Sequence, residues 1–155
     1  MMDMFDRIIA REGGDKLTNI KGDDGGWTKF GISSAAHPTV DIKSLTYDEA
    51  KKIYQEEYFK KNNIHLLPVE LQEAVLDFCV HSGAYNAIRY LQKIIGTTQD
   101  GVIGTQTVVE ARKFATVLLL DAYRRERLLF LARQVVNKPE KMKFLIGWLN
   151  RALSL

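Results

Sequence analysis

The sequence predicts a mainly α-helical fold interrupted by one short β excursion, and three observations carry that expectation. Apolar residues recur at helical spacing along most of the chain, beginning with Met4, Phe5, Ile8 and Ile9. Two glycine pairs, Gly13-Gly14 and Gly25-Gly26, lie within fourteen residues and bracket a stretch rich in Gly, Asp, Asn and Thr. Asp24-Gly25 is a turn signal feeding one strand-like run, Trp27-Thr28-Lys29-Phe30-Gly31-Ile32.

Each element has a local reason. Asp3 caps the first helix, whose stripe of Phe5, Ile8 and Ile9 stops at Gly13-Gly14 and leaves Glu12 on the last turn facing the core. Alternation along the strand puts Thr28, Phe30 and Ile32 on one side, Trp27 and Lys29 on the other. Thr46 and Glu49 form a capping box for a helix running to about Lys60, with Ala50, Ile53, Tyr54 and Tyr58 inward. Pro68 opens a central helix carrying Leu71, Ala74, Val75, Phe78 and Ser82, which Gly83 ends. A further helix with Ile88, Leu91 and Ile95 closes at Gly96, and the loop TTQDGVIGTQT turns on Gly101 and Gly104. Helical spacing resumes from Thr105 to about Val136 with a break near Thr116, and Pro139 opens a last helix bearing Leu145, Trp148, Leu149 and Ala152.

Composition narrows the function classes. At 155 residues, 46% of them hydrophobic, the chain can bury one sizeable core, so one compact unit is expected. One cysteine, Cys79, excludes an internal disulfide, and its neighbours Phe78 and Val80 predict a buried thiol. The N-terminus lacks the apolar run of a secretory signal, so synthesis in the cytoplasm without Sec export is expected. The clusters VLLL and LLFLA are interrupted by charges, well short of the roughly 20 apolar residues of a membrane span. Net charge is +3, yet from Arg112 onward ten Lys/Arg face three Asp/Glu, a basic tail that attracts polyanions. Those basic residues lack interleaved aromatics or a reader motif, so nucleic acid is not expected as the main partner. His37, His65, His81 and Cys79 show no metal-ligand spacing, and no G-x-S-x-G or P-loop motif occurs. No metal or cofactor is expected.

The odd chemistry sits in the β excursion. A carboxylate at a helix C-terminus facing apolar side chains meets desolvation and the negative end of the helix dipole, and both favour its protonated form. Glu12 is thereby a candidate general acid. Across from it, Asp23 or Asp24 at the turn can stay ionised, and the Thr28 hydroxyl can hold a water. One acid, one carboxylate and a water positioner are the apparatus for hydrolysing a glycosidic bond with inversion.

The run Glu12-Gly13-Gly14, then Asp23-Asp24-Gly25-Gly26-Trp27-Thr28-Lys29-Phe30-Gly31-Ile32, resembles the signature of the glycoside hydrolase family 108 lysozymes of phage endolysins and bacterial secretion-activator proteins. It also follows the Glu, Asp, Thr order of the larger phage-type lysozymes. The segments LTYDEAKKIY, Asp77-Phe78 to Ser82-Gly83, LQKIIGTTQDGVIGTQT and GWLNR extend the similarity over nearly the whole chain. The resemblance implies a lysozyme-like helical fold with a β-hairpin beside the active site. It implies Glu12 as catalytic acid, Asp23 at the aspartate position and Thr28 in the threonine slot; Asp24 stands where proline is common, and His81 where asparagine is. Trp27, Phe30 and Asp77 are the expected substrate contacts.

The implied organisation is a catalytic lobe over residues 1–95 and a helical region over 96–155 resembling a peptidoglycan-binding segment, packed into one unit. The implied activity is that of an N-acetylmuramidase acting as a monomer on peptidoglycan in the periplasm or cell wall, reached through a holin or another export route. A non-catalytic wall-binding or polyanion-binding helical module, working through the basic tail, is the alternative.

Overall fold

A computed structural model describes residues 2–19, 26–114 and 116–155. The order is α1 (Met4–Arg11), β1 (Thr18–Asn19), β2 (Trp27–Lys29), β3 (Ile32–Ser33), α2 (Tyr47–Ile53), α3 (Val69–Ser82), α4 (Ala84–Ile95), α5 (Thr105–Lys113), α6 (Thr116–Asn137) and α7 (Leu145–Leu153). A π-helical stretch, Tyr54–Lys60, continues α2, and 3-10 turns occupy Ile64–Leu66 and Pro139–Phe144. The chain is a mainly helical protein with a small antiparallel sheet. It divides into two compact units, Met1–Glu57 and Tyr58–Leu155.

In the first unit, α1 begins at a reciprocal capping box: Asp6 N–H donates to Asp3 Oδ1 at 3.0 Å, and Asp3 N–H to Asp6 Oδ2 at 2.8 Å. Phe5, Ile8 and Ile9 are buried, as the stripe predicts. Each such side chain contributes about 1.5–3 kcal/mol relative to exposure. Lys51 on α2 bonds Asp3 at 2.8 Å and Asp6 at 2.6 Å, and Tyr47 Oη donates to Asp6 at 2.6 Å, so the starts of α1 and α2 are cross-linked by charge. The Lys51 hydrogen bond, then that from Tyr47, hold the Asp6 carboxyl far below its ordinary range. The Thr46–Glu49 capping box is present as expected.

The sheet corrects one expectation. Trp27 to Ile32 is not one strand: β2 ends at Lys29, and the chain reverses on Phe30 (φ 53°) and Gly31 (φ 78°) into β3. The order is β1-β2-β3, antiparallel, with Thr28 opposite both Thr18 and Ser33. Lys29 Nζ donates to Leu45 O at 2.8 Å, fastening the centre of the sheet to the segment before α2.

In the second unit α3 is central. Leu71, Ala74, Val75, Leu76, Phe78 and Cys79 are buried on it, and it packs against both α4 and α6. That packing keeps α3 and α4 with the C-terminal helices in the unit Tyr58–Leu155. Phe78 is ringed by Tyr90, Tyr123 and Phe130 at centroid distances of 6.2, 5.9 and 5.3 Å. Gln92, buried on α4, pins the glycine loop: its Nε2 donates to Asp100 Oδ1 (2.7 Å) and Val102 O (2.9 Å), while its Oε1 accepts from Gly101 N–H (2.9 Å). The Cys79 thiol is buried and free of any disulfide, and burial pushes its pKa up to about 12.

Candidate active site

Glu12 is the residue that ends α1. Its N–H still donates to Ile8 O at 3.0 Å, and Gly14 N–H folds back onto Ile9 O at 3.1 Å, so the glycine pair turns the chain immediately after the carboxylate. The turn is then tied to the sheet, because Phe30 N–H donates to Gly14 O at 2.9 Å. Tyr54, fully buried on the π-helical stretch, donates its hydroxyl to Phe30 O at 2.9 Å.

These ties press the Glu12 stem against the β2–β3 turn. A Cβ placed on Gly31 would stand 2.6 Å from Glu12 Cβ, 2.9 Å from Glu12 Cγ and 2.6 Å from Tyr54 Oη. With φ at 78° as well, only glycine fits there without displacing the acid. Glu12 is half-buried, its stem against the turn, rather than sunk in the core.

Thr28 lies on the central strand, half-buried, three residues before Gly31. Strand β1 fastens beside it through the Thr18 hydroxyl, which donates to Thr28 O at 3.5 Å. Asp23 and Asp24 lie outside the described residues. Trp27 is exposed with Lys43 Nζ 4.5 Å from its ring centroid, so one face of the indole already carries a cation.

Two of the expected substrate contacts are buried. Phe30 is 5% exposed and packs edge-on against Tyr47 at 5.8 Å, and its backbone is what joins Gly14 to Tyr54. Asp77 is 0% exposed: Arg127 Nη2 donates to its Oδ2 at 2.7 Å, and Arg151 Nε and Nη2 reach its carboxylate at 2.9 and 3.0 Å. Burial would raise the Asp77 pKa, but Arg151 and Arg127 outweigh it and hold the group ionised below its ordinary value. Asp77 organises three helices of the second unit, α3, α6 and α7, and offers no open face to a ligand. Sequence reading placed Tyr54 inward, yet its hold on the turn beneath Glu12 depends on a hydrogen bond spanning 24 residues, which no local pattern announces.

Two cavities of the first unit, about 470 Å³ beside Leu45, Ile53 and Glu56 and about 430 Å³ beside Asp6, Ala10 and Tyr47, include neither Glu12 nor Thr28 in their linings. Among the described residues no His/Cys/Asp/Glu group has the arrangement of a metal centre.

A helical protein with a carboxylate at the end of its first helix, set against the turn of a small antiparallel sheet, has the architecture of the lysozyme-like glycosidases. Comparison with known proteins gives the family. The chain belongs to the glycosyl hydrolase 108 family, which it matches over residues 5–83, and it matches the family described as "Predicted Peptidoglycan domain" over 86–153. Among solved structures it is similar to Brucella abortus SagA, with 32% identity, a TM-score of 0.74, and coverage of 96% of this chain and 90% of that one. No curated protein matches it. Together these make the chain a peptidoglycan-related glycoside hydrolase. The two family matches meet at the α3–α4 turn, inside the second compact unit.

Proposed function

We propose that the protein is an N-acetylmuramidase that cleaves the β-1,4 bond between N-acetylmuramic acid and N-acetylglucosamine in peptidoglycan. Glu12 protonates the leaving glycosidic oxygen. Water oriented by the Thr28 hydroxyl, with Asp23 or Asp24 as the base, attacks the opposite face of the sugar, and the anomeric configuration inverts. The oxygen gains the proton that Glu12 loses, the attacking water gives one to the aspartate, and the sugar leaves with a new reducing end.

The observation that carries this reading is the Glu12 seat. The first two side-chain carbons of Glu12, Cβ and Cγ, lie against Gly31 at a separation that admits no added methyl group. Such restraint is what a general acid needs, because misplacement by about 1 Å can cost on the order of 10²-fold in rate. Trp27, exposed at the start of the central strand, offers an indole face on which a sugar ring can stack.

Mass spectrometry of muropeptides released from purified peptidoglycan tests the bond: new reducing ends on N-acetylmuramic acid are expected. Reducing ends on N-acetylglucosamine, or full lysis by the Glu12→Gln protein, would remove the proposal. NMR of the nascent anomer tests inversion.

A further inference from the structure

The second unit holds a cavity of about 240 Å³ that the proposed chemistry does not use. Its walls come from the end of α3, the start of α4, the second half of α6, and the Pro139–Leu153 segment. Ligand pockets for whole small molecules span roughly 300–1,000 Å³. This one therefore suits a single group at the end of a larger molecule rather than a disaccharide.

Its chemistry is specific. Trp148 forms one wall, held between Phe144, stacked at 5.8 Å, and His81, edge-on at 5.7 Å. Asn86 spends its amide N–H on Ser82 O at 2.9 Å, leaving its carbonyl oxygen to the cavity. Gln134 accepts from Lys141 Nζ at 3.3 Å, leaving its amide N–H₂ to donate. No carboxylate is among the lining residues, and Lys141 is the cation at the rim.

The surroundings add positive charge. Each member of the buried Asp77–Arg127–Arg151 group sits one helical turn from a lining residue: Asp77 before His81, Arg127 before Phe130 and Leu131, Arg151 after Trp148. Two guanidiniums meet the Asp77 carboxylate, and Nε and Nη1 of Arg127, which is 1% exposed, have no hydrogen-bond partner among the described residues. Burial first, then the two arginines, push the His81 imidazole down to about 4, so the ring is neutral at pH 7 and serves by hydrogen bonding.

The geometry points to this cavity as a binding site for a carboxylate of the peptidoglycan stem peptide, with Lys141 pairing the carboxylate, Asn86 and Gln134 bonding the adjacent amide, and Trp148 covering the apolar side. A stem peptide supplies an anionic group beside amide bonds, whereas the glycan, its lactyl carboxyls taken up in amide links to the stem, offers hydroxyls and acetamido groups with no charge to meet the positive field. The site is independent of Glu12, so it stands or falls separately from the proposed glycosidase mechanism.

The test uses the full chain and the soluble tripeptide L-alanyl-γ-D-glutamyl-meso-diaminopimelate, which contains no glycosidic bond. Amide shift changes on titration are expected at His81, Asn86, Gln134 and Trp148. Lys141→Ala should weaken binding about tenfold, the loss typical of a hydrogen bond to a charged group; Lys141→Arg should retain it, and Gln134→Glu should abolish it by setting a carboxylate against the ligand. A tripeptide with amidated carboxyls should bind the unaltered protein about tenfold more weakly, and this preference should vanish in Lys141→Ala. Glu12→Gln should bind the tripeptide with unchanged affinity, whatever its effect on lysis. Shift changes outside this cavity, equal binding by Lys141→Ala, no binding at millimolar tripeptide, or equal shifts from chitobiose, an uncharged N-acetylglucosamine disaccharide, would overturn the assignment.

Discussion

The two compact units place their carboxylates in opposite circumstances. In Met1–Glu57, Glu12 is half-buried where a helix, a glycine turn and a sheet reversal meet, with Gly31 against its stem. In Tyr58–Leu155, Asp77 has no exposure at all and both its oxygens are taken by guanidiniums. Both lie within the match to the same hydrolase family. Their surroundings separate them: Glu12 lies with its stem against the β2–β3 turn, whereas Asp77 is gripped by its oxygens where three helices meet.

The largest effects sharpen that contrast. Glu12→Gln should lower the rate of wall lysis by about 10²–10⁴-fold, the usual contribution of a general acid, with a thermal midpoint close to that of the unaltered protein. Asp77→Ala should do the reverse. It strands Arg127 and Arg151 in a low-dielectric interior, a change that costs about 3–5 kcal/mol, or roughly 6–20 °C in melting temperature for a chain of this length. Urea titration followed by circular dichroism reads the difference; an Asp77→Ala protein with unchanged stability would break the comparison.

Gly31→Ala lies between these. The added methyl meets Glu12 and Tyr54 and the backbone stays at positive φ, so a stability loss of about 1–3 kcal/mol should accompany a fall in lysis of up to about 10²-fold. Activity unchanged at that cost would show that the seat does not position the acid.

The smallest effect is a pH dependence in the second unit. His81 has its pKa lowered in the folded state from 6.5 to about 4, so the stability it supports is complete above about pH 6.5 and is lost as pH falls through that interval. Asp77, with a depressed pKa, loses its contribution only at still lower pH. His81→Asn should therefore flatten the decline of melting temperature between pH 6.5 and 4 and leave the more acidic decline in place. Equal slopes in the two proteins would exclude His81 as its source.

Most of the helical framework could be read in advance, because its signals are local. Asp3, Thr46, Gly83 and Gly96 mark helix ends where caps and stops predict them, and Ile88, Leu91 and Ile95 are buried at the expected spacing. The break near Thr116 is also present, with α5 ending at Lys113 and α6 beginning at Thr116. The strand over residues 27–32 misled because alternation extends through Phe30, while the backbone there is left-handed in a residue that seldom adopts that form. What stayed hidden is long-range. Asp77 meets Arg127 across 50 residues and Arg151 across 74, so a sequence motif that names Asp77 cannot say whether it faces a ligand or a salt bridge. Trp148 was expected in the core by helical spacing, and only the approach of α3 and α6 to its helix makes it a cavity wall.

Cys79 carries a consequence of its own. A thiol kept protonated near neutral pH by the packing around α3 is a poor nucleophile, so it neither attacks disulfides nor yields readily to oxidants. Since it is the sole cysteine, no covalent crosslink within the chain can form or shuffle. The folded protein therefore carries no internal disulfide that a change from a reducing to an oxidising medium could make or break.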